Sequence, residues 1–462
     1  MGNNDTVRSG TLLFRLATAL RGEKGISEYV RALQRAEQRS PAELRAMQQR
    51  RLAAMMNHAC ETVPWYRAHG LAPVRDPAHA FVQLAGWPLL EKAVLQSSPD
   101  DLRSSQRYRT TMKSTGGSTG APVRLWKDAD GLARERAVTW RALEWHGVVP
   151  GDRCVRVWGT PLTARRRITY WLADAAMNRT RISAFEMQES DYARHLAVLQ
   201  RIRPTWIYGY STAIHSFAEW ADANGHDLRS LRVRLIVSTA EPSTRAMRQL
   251  ISRVFDCPVQ NEYGAGEIGA FAYSCPHDQL HIFVENVFVE VLDDEGCPVP
   301  AGEMGEIVVT DLTNRAMPLL RYRLGDRVRL GEPCACGLPL PTISEVGGRT
   351  RDLIVTPRGR KVYGGQIHYH ISGIGGRVPG FHQYQFVQTA ADRAEVRVVG
   401  TRDALARARP LIETFGRTHL DGMTLDVVAV DRIERERSGK LRLVKYELAE
   451  AAQTSRGTHA QG

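Results

Sequence analysis

The segment Lys113-Ser114-Thr115-Gly116-Gly117-Ser118-Thr119-Gly120-Ala121-Pro122 packs three glycines and four hydroxyl side chains into seven positions. Its amides and hydroxyls can wrap phosphate oxygens. It is not a Walker loop, because no Lys-Ser/Thr follows a glycine at the required offset. Alone, such a cluster is also the composition of a flexible linker. A second constellation is soft rather than phosphate-directed. Cys275-x5-His281 and Cys334-x-Cys336 supply two ligand pairs, and Pro333-Cys334-Ala335-Cys336-Gly337 has the form of a knuckle in which glycine lets amides turn toward thiolates. Three cysteines and one histidine suit tetrahedral Zn²⁺ in a closed structural site. The alternative is a set of buried free thiols, and His277 could take the place of His281. Cys60, Cys154, Cys257 and Cys297 read as small core residues.

Ser-Thr-Gly-Gly-Ser-Thr-Gly-x-Pro resembles the phosphate loop of adenylate-forming enzymes, the superfamily of acyl-CoA synthetases, adenylation domains and luciferase. Further signatures follow in that superfamily's order. Thr239-Ala240-Glu241-Pro242 follows a buried strand, where the family sets backbone against adenine. Asn261-Glu262-Tyr263-Gly264-Ala265-Gly266-Glu267 resembles Tyr-Gly-x-Thr-Glu, and Arg321-Tyr322-Arg323-Leu324-Gly325-Asp326 resembles Arg-Tyr-x-Thr-Gly-Asp. Gly348-Arg349-Thr350-Arg351-Asp352 is similar to the hinge motif, and Ser438-Gly439-Lys440 to the C-terminal lysine motif. Within the superfamily the chain resembles phenylacetate–CoA ligase and its relatives, including ligase-like proteins of capsule gene clusters. Val63-Pro64-Trp65-Tyr66-Arg67, Tyr208-Gly209-Tyr210-Ser211 and Cys334-x-Cys336-Gly337 carry that narrower likeness, and some members of that branch hold a similar metal cluster.

The resemblance implies ATP, Mg²⁺ and a two-step reaction. A carboxylate and ATP give an acyl-adenylate and pyrophosphate, and an acceptor, in that branch the thiol of coenzyme A, then displaces AMP. Two anions meet in the first step, so positive charge and donors must line the phosphates. The loop Ser114–Gly120 would hold them. Glu267 would carry the Mg²⁺, Tyr263 would offer a face to adenine, and Asp326 would accept the ribose hydroxyls with Arg349 nearby. Lys440, on the lid, would meet the carboxylate and the α-phosphate. Trp126, Tyr208, Tyr210, Ala240 and Gly264 are candidate walls for an aryl or small hydrophobic acid. The pattern is broken in three places: Gly266 and Leu324 stand where threonines are expected, and Arg351 stands at the usual hinge aspartate. Transfer to an amine, a carrier-protein thiol or a hydroxyl, and movement of AMP itself onto a cofactor, remain open. So does a non-catalytic descendant.

The elements that must position these residues are legible from pattern. Residues 26–60 form a helical N-terminal segment, with Leu44, Met47, Leu52, Met55 and Met56 at helical spacing. A second helix spans Asp128–His146, stopped by Gly147 and Pro150. Cys154–Trp158, Trp206–Tyr210 and Leu235–Val237 read as buried strands, with a helix over Pro242–Phe255, so parallel strands under helices are expected. Val287–Leu292 and Gly305–Thr310 read as antiparallel strands around a turn at Asp293–Gly296. A smaller α+β unit follows, with strands near 381–388, 394–399 and 424–430 and a helix at 403–416. The fold class is therefore α/β, with a large nucleotide- and acid-binding domain over 1–350, whose first 110 residues are helical. A lid over 351–450 turns about 350–352, and a polar tail over 451–462 reads as disordered.

The 462 residues exceed one simple core, and a hydrophobic fraction of 43% with 24% charged residues excludes wholesale disorder. The net charge of +12 suits a polyanion such as ATP or coenzyme A, but no run of five basic residues and no aromatic–basic stacking motif points to nucleic acid. Seven dispersed cysteines do not make a secreted disulfide framework, no stretch is apolar enough to span a bilayer, and Met1–Glu23 reads as a mature amphipathic helix. A cytoplasmic enzyme is expected, with a small carboxylic acid as partner and a homodimer as one option for its assembly.

Overall fold

Ser40 opens the helix Pro41–Thr62 with a reciprocal capping box. Its hydroxyl accepts the Glu43 amide, and the Glu43 carboxylate accepts the Ser40 amide at 2.8 Å. That helix and its neighbour Ile26–Ala36 bury Leu33, Leu44, Leu52 and Met56 in the largest apolar cluster, as their spacing predicts. Asp128 caps the helix Ala129–Glu144 by accepting the Gly131 amide at 2.7 Å. The computed structural model describes residues 25–115, 123–159, 174–184, 189–349, 353–375, 377–434 and 441–446. The expected N-terminal helix over Met1–Glu23 and the polar tail lie outside them.

The chain divides into two compact units, with the break between Val346 and Gly347. In the larger unit, β1 (Thr110–Thr115) and β2 (Val123–Asp128) form a hairpin whose loop end pairs Thr115 with Val123. The main sheet starts with β3 (Cys154–Trp158), β4 (Arg179–Ser183), β5 (Trp206–Tyr210), β6 (Leu235–Thr239) and β7 (Val259–Ala265). It continues with β8 (Gly269–Ser274), β9 (Leu280–Ile282), β10 (Val287–Leu292), β11 (Met304–Asp311), β12 (Tyr322–Gly331) and β13 (Thr342–Arg349). Eleven strands run in the order β10-β11-β12-β13-β9-β8-β7-β6-β5-β3-β4. β3 to β7 pair in parallel, whereas β7–β8, β8–β9, β9–β13, β10–β11 and β11–β12 pair antiparallel. β7 is thus where a doubly wound half meets a meander. Parallel strands need both faces covered. The helices Glu189–Ile202, Ser211–Ala223 and Arg245–Phe255 supply Leu196, Phe217 and Ile251 to one face, while Leu143 of the helix Ala129–Glu144 and Val148 reach the other.

The smaller unit has a hairpin of β14 (Leu353–Val355) and β15 (Lys361–Tyr363). Its four-stranded sheet is ordered β18 (Thr424–Ala429), β17 (Arg393–Gly400), β16 (Phe381–Gln388), β19 (Val444–Tyr446). The helices Gly364–Gly375 and Arg402–His419 pack Ile371 and Ile412 with Phe386 and Val396 of that sheet. The architecture is the expected α/β class. Two local expectations need correction. The helix expected from Pro242 starts at Arg245, because the Thr244 hydroxyl accepts the Met247 amide and sets the cap there. Cys297 is exposed rather than a core residue, since it sits in the turn after β10, where its amide donates to the Asp293 carboxylate at 2.8 Å.

Candidate active site at the carboxyl ends of the parallel strands

Ligands of open α/β sheets bind beyond the carboxyl ends of parallel strands, near a switch in strand order. β6 ends there in Thr239, followed by Ala240 at φ 68°. Left-handed backbone at a residue with a Cβ is disfavoured, so the surroundings must hold this turn. Glu241 does so from the side. Its carboxylate accepts the Thr212 amide at 3.1 Å and the Thr212 hydroxyl, capping the first turn of the helix Ser211–Ala223, and its carbonyl accepts the Ser211 hydroxyl at 3.2 Å.

One carboxylate collects hydroxyls from three strands. Glu262 Oε1 of β7 accepts the Thr239 hydroxyl of β6 at 2.6 Å and the Tyr208 hydroxyl of β5 at 2.8 Å. The Tyr273 phenol of β8 lies beside it, and burial, then the Glu262 charge, holds that phenol well above its ordinary value. Tyr208 is raised for the same two reasons in the same order. These tyrosines therefore stay protonated donors at neutral pH.

The next residue, Tyr263, donates its hydroxyl to Asp326 Oδ2 on β12 at 2.9 Å, with its ring edge-on to Phe271 at 5.5 Å. Gly264 has no room for a side chain, since a Cβ would sit 2.3 Å from the Gly269 carbonyl oxygen across a register shift. The β7–β8 hairpin can therefore close tightly enough to turn Glu267 inward. Glu267 is buried, with Lys92 Nζ 3.5 Å from its carboxylate. Beside it, Lys127 Nζ donates to the Ile268 carbonyl at 2.8 Å and pairs with Asp311 Oδ2 at 3.0 Å, both partners fully buried. The arginines of the Arg321–Asp326 motif are spent on the scaffold. Arg321 pairs with Glu290 at 3.0 Å and donates to the carbonyls of Ala85 and Trp87, and Arg323 pairs with Glu306 and Glu91.

The structure thus links Tyr208, Thr239 and Glu262 in one cluster and Tyr263 with Asp326 in the adjoining one. Pro242 follows the Glu241 turn. Tyr210 is buried with its ring 4.2 Å from that of Trp158. The Trp126 ring lies 4.5 Å from the Arg103 guanidinium and packs, like Tyr263, against the largest apolar cluster. Ser114 is exposed at the end of β1, Thr115 closes that strand, and Lys113 pairs with Glu135 at 3.1 Å. Gly116, Gly117, Ser118, Thr119, Gly120, Arg351 and Lys440 lie outside the described residues, and Arg349 is described only as the backbone end of β13. Sequence reading missed Lys92, Lys127, Arg156, Trp158 and Tyr273. For Arg156 a signal existed, a lone cation inside the apolar run Cys154–Trp158.

The soft residues also converge. The ligand atoms of Cys275, His281, Cys334 and Cys336 all lie within 4.8 Å of one another. Cys275 Sγ is 3.7 Å from Cys334 Sγ, and Cys336 Sγ is 3.3 Å from His281 Nε2. His281 Nδ1 faces the Leu340 carbonyl at 3.3 Å, a second contact that orients the ring and presents Nε2. Amides of His277 and Cys336 point at the sulfurs of Cys275 and Cys334, and Gly337 takes φ 80° in the knuckle. His277 contributes its backbone here, and His281 its ring.

Residues 100–313 match the family model described as AMP-binding enzyme. Protein CapK of Staphylococcus aureus is 29% identical over 246 residues, which is 53% of this chain and 53% of that protein. The chain thus spans about half of CapK's length. The phenylacetate-coenzyme A ligase of Thermus thermophilus is 30% identical over 369 residues, 77% of this chain and 81% of that enzyme. Among solved structures, 2-hydroxyisobutyryl-CoA ligase in the postadenylation state in complex with R3-HIB-AMP superposes with a TM-score of 0.69 at 20% identity. That alignment covers 87% of this chain and 89% of that one, a likeness of fold.

Proposed function

We propose that this chain, which belongs to the phenylacetate–coenzyme A ligase family of adenylate-forming enzymes, activates a small carboxylic acid with ATP and passes the acyl group to the thiol of coenzyme A. The observation that carries this reading is the pair of adjoining clusters at the carboxyl ends of β5 to β7. There the Tyr208 and Thr239 hydroxyls meet Glu262, and the neighbouring Tyr263 hydroxyl meets Asp326, in hydrogen bonds of 2.6 to 2.9 Å.

In the first half-reaction a carboxylate oxygen attacks the α-phosphorus. An oxygen–phosphorus bond forms, the α–β bridge breaks, and pyrophosphate leaves with its electron pair. Asp326 is the acceptor for the ribose hydroxyls, and its bond from Tyr263 fixes both its orientation and the tilt of the Tyr263 ring toward adenine. The turn at Ala240, pinned by Glu241 and Thr212, presents backbone to the same base. Ser114, Thr115 and the glycines that follow hold the β- and γ-phosphates. Glu267 offers the hard carboxylate oxygen that Mg²⁺ prefers, and Mg²⁺ bound there would supply charge neutralisation along the phosphates. Lys440 serves as the cation at the α-phosphate. In the second half-reaction the thiol sulfur attacks the acyl carbon, the carbon–oxygen bond to AMP breaks, and the thiol proton passes to solvent.

The four-donor cluster fits Zn²⁺ as a structural ion, with three sulfurs and one oriented imidazole nitrogen to hold it. Bound there, the ion would tie the β8–β9 segment to the loop before β13. Purified full-length protein is expected to hold one zinc per chain by elemental analysis. Cys336→Ser should lose it and lower the thermal midpoint by on the order of 5 °C or more. Protein expressed with ample zinc that carries none, with an unchanged midpoint in the variant, would refute the assignment.

The function is tested with a panel of carboxylic acids, ATP and Mg²⁺, read by pyrophosphate release, then by mass spectrometry after addition of coenzyme A. At least one acid should release pyrophosphate in an acid-dependent manner and give a thioester. A product with an amine or carrier thiol but none with coenzyme A would move the acceptor, and absence of acid-dependent release across the panel would end the adenylation reading.

A further inference from the structure

One cation near this site has no counter-charge among the described residues. Arg156 sits at the middle of β3, in register with Arg181 of β4 and Tyr208 of β5. Its neighbours on β4 share one carboxylate: Asp174 accepts from Arg179 at 2.7 Å and from Arg181 at 3.2 Å. The Arg156 guanidinium has no hydrogen bond or ion pair among the described residues, and its Nε is fully buried with no acceptor. It rests between two rings, 4.3 Å from the centroid of Trp158 and 5.1 Å from that of Tyr208. Ring faces repay part of the lost hydration of a guanidinium, but they do not satisfy its N–H donors. Burial, with the charges of Arg179 and Arg181, pulls Arg156 below the ordinary arginine value.

The surroundings define where a partner could come from. The layer on the amino-terminal side is sealed, because Cys154, Trp206 and Leu235 pack with Leu143 and Val148. On the other side lie Trp158, Tyr210 and the Tyr208 hydroxyl, which reaches Glu262. The Arg156 guanidinium, unpaired among the described residues, therefore lies against two rings on the side of β3 and β5 where Tyr208 reaches Glu262. Arg156 is half-buried, and a fold does not ordinarily bury a guanidinium N–H without an acceptor.

We propose that Arg156 binds a second anionic group of the acid substrate, so that the enzyme activates acids bearing a further carboxylate remote from the one that reacts. This rests on the adenylation reading and narrows it from aryl or small hydrophobic acids to their acidic derivatives. A planar guanidinium matches a carboxylate through two parallel N–H donors. Trp158 and Tyr210 flank the carbon skeleton between the two ends. A simple monoacid of the same shape leaves the guanidinium unpaired, and sites built around a polar partner reject analogues that lack it.

The test uses the full-length enzyme, Arg156→Met and Arg156→Lys, with monoacids matched to counterparts carrying a distal carboxylate, read by pyrophosphate release. The wild type should favour the diacid in kcat/KM by about 100-fold or more. Arg156→Met should abolish that preference, mainly through KM, and Arg156→Lys should retain part of it. Without acid, Arg156→Met should melt at or above the wild-type temperature, since an uncompensated charge has been removed. Equal loss for both members of each pair would instead assign Arg156 to the reacting carboxylate. A lowered midpoint with an unchanged ratio would make it a packing residue. Either result overturns the proposal, as does a wild type that activates monoacids and not diacids, with the adenylation reading intact. If neither kind of acid releases pyrophosphate, the adenylation reading falls and takes this one with it.

Discussion

Lys440→Ala should slow acid-dependent pyrophosphate release by about 100- to 1,000-fold, equivalent to about 3–4 kcal/mol of barrier, while leaving the thermal midpoint unchanged. The reason is charge. A carboxylate approaching the α-phosphorus of ATP adds a further negative centre to a polyanion, and the negative charge gathers on the non-bridging α-oxygens as the bridge to pyrophosphate breaks. A cation there stabilises the transition state more than the bound substrates, so its loss falls on kcat rather than on KM for ATP. Lys440→Arg keeps the charge but replaces a compact ammonium with a broad planar fork, so it should recover part of the rate. Turnover of the alanine variant within threefold of wild type would remove Lys440 from the chemistry.

Why some parts of this molecule can be read from sequence and others cannot follows from the range of the forces involved. Cys154–Trp158 and Trp206–Tyr210 are recognisable because parallel strands are covered on both faces and show as unbroken apolar runs. The helix Ala129–Glu144 is recognisable because its cap, its stripe and its stop are all local. β7 is harder. Its residues are half-buried and polar, since the strand ends in the candidate site, so neither periodicity marks it. The partners of Glu262 lie 54 and 23 residues away, on two different strands, and only the parallel order of β5, β6 and β7 makes them neighbours. The metal-ligand set could be named because cysteine and histidine are rare and specific, though nothing in the spacing chose His281 over His277. That choice is made by β9, which buries the His281 ring and turns its Nδ1 to the Leu340 carbonyl. Cys297 was misread for the opposite reason. Cysteine is usually buried, but the turn chemistry of Asp293 and Gly296 outranks that preference.

Lys127→Met should lower the unfolding free energy of the protein by about 3–5 kcal/mol. Lys127 and Asp311 form an ion pair with side chains only 2% exposed, joining β2 to β11. The second oxygen of Asp311 is already committed to the Thr313 amide and hydroxyl and to the Asn314 amide. Methionine fills the volume of the lysine stem but leaves Asp311 Oδ2 as a buried charge and the Ile268 carbonyl without its donor. Burial works against the ammonium, yet the charge of Asp311, helped by Glu135 and Asp128, outweighs it and holds Lys127 above its ordinary value. A basic group raised in the folded state contributes its stability fully below the unfolded value, about 10.4 for lysine, and loses it as pH climbs through the folded value. The gap between wild type and Lys127→Met should therefore stay constant from about pH 6 to 9 and close only in stronger alkali. Combining Lys127→Met with Asp311→Asn removes the orphaned charge and should restore part of the loss, which separates an unpaired carboxylate from a simple packing defect. Because the Ile268 carbonyl follows Glu267 directly, the single variant should also lose activity beyond its loss of folded protein. An unfolding free energy from urea titration within about 1 kcal/mol of wild type, or a double variant no better than the single, would show that the pair does not hold this corner of the site.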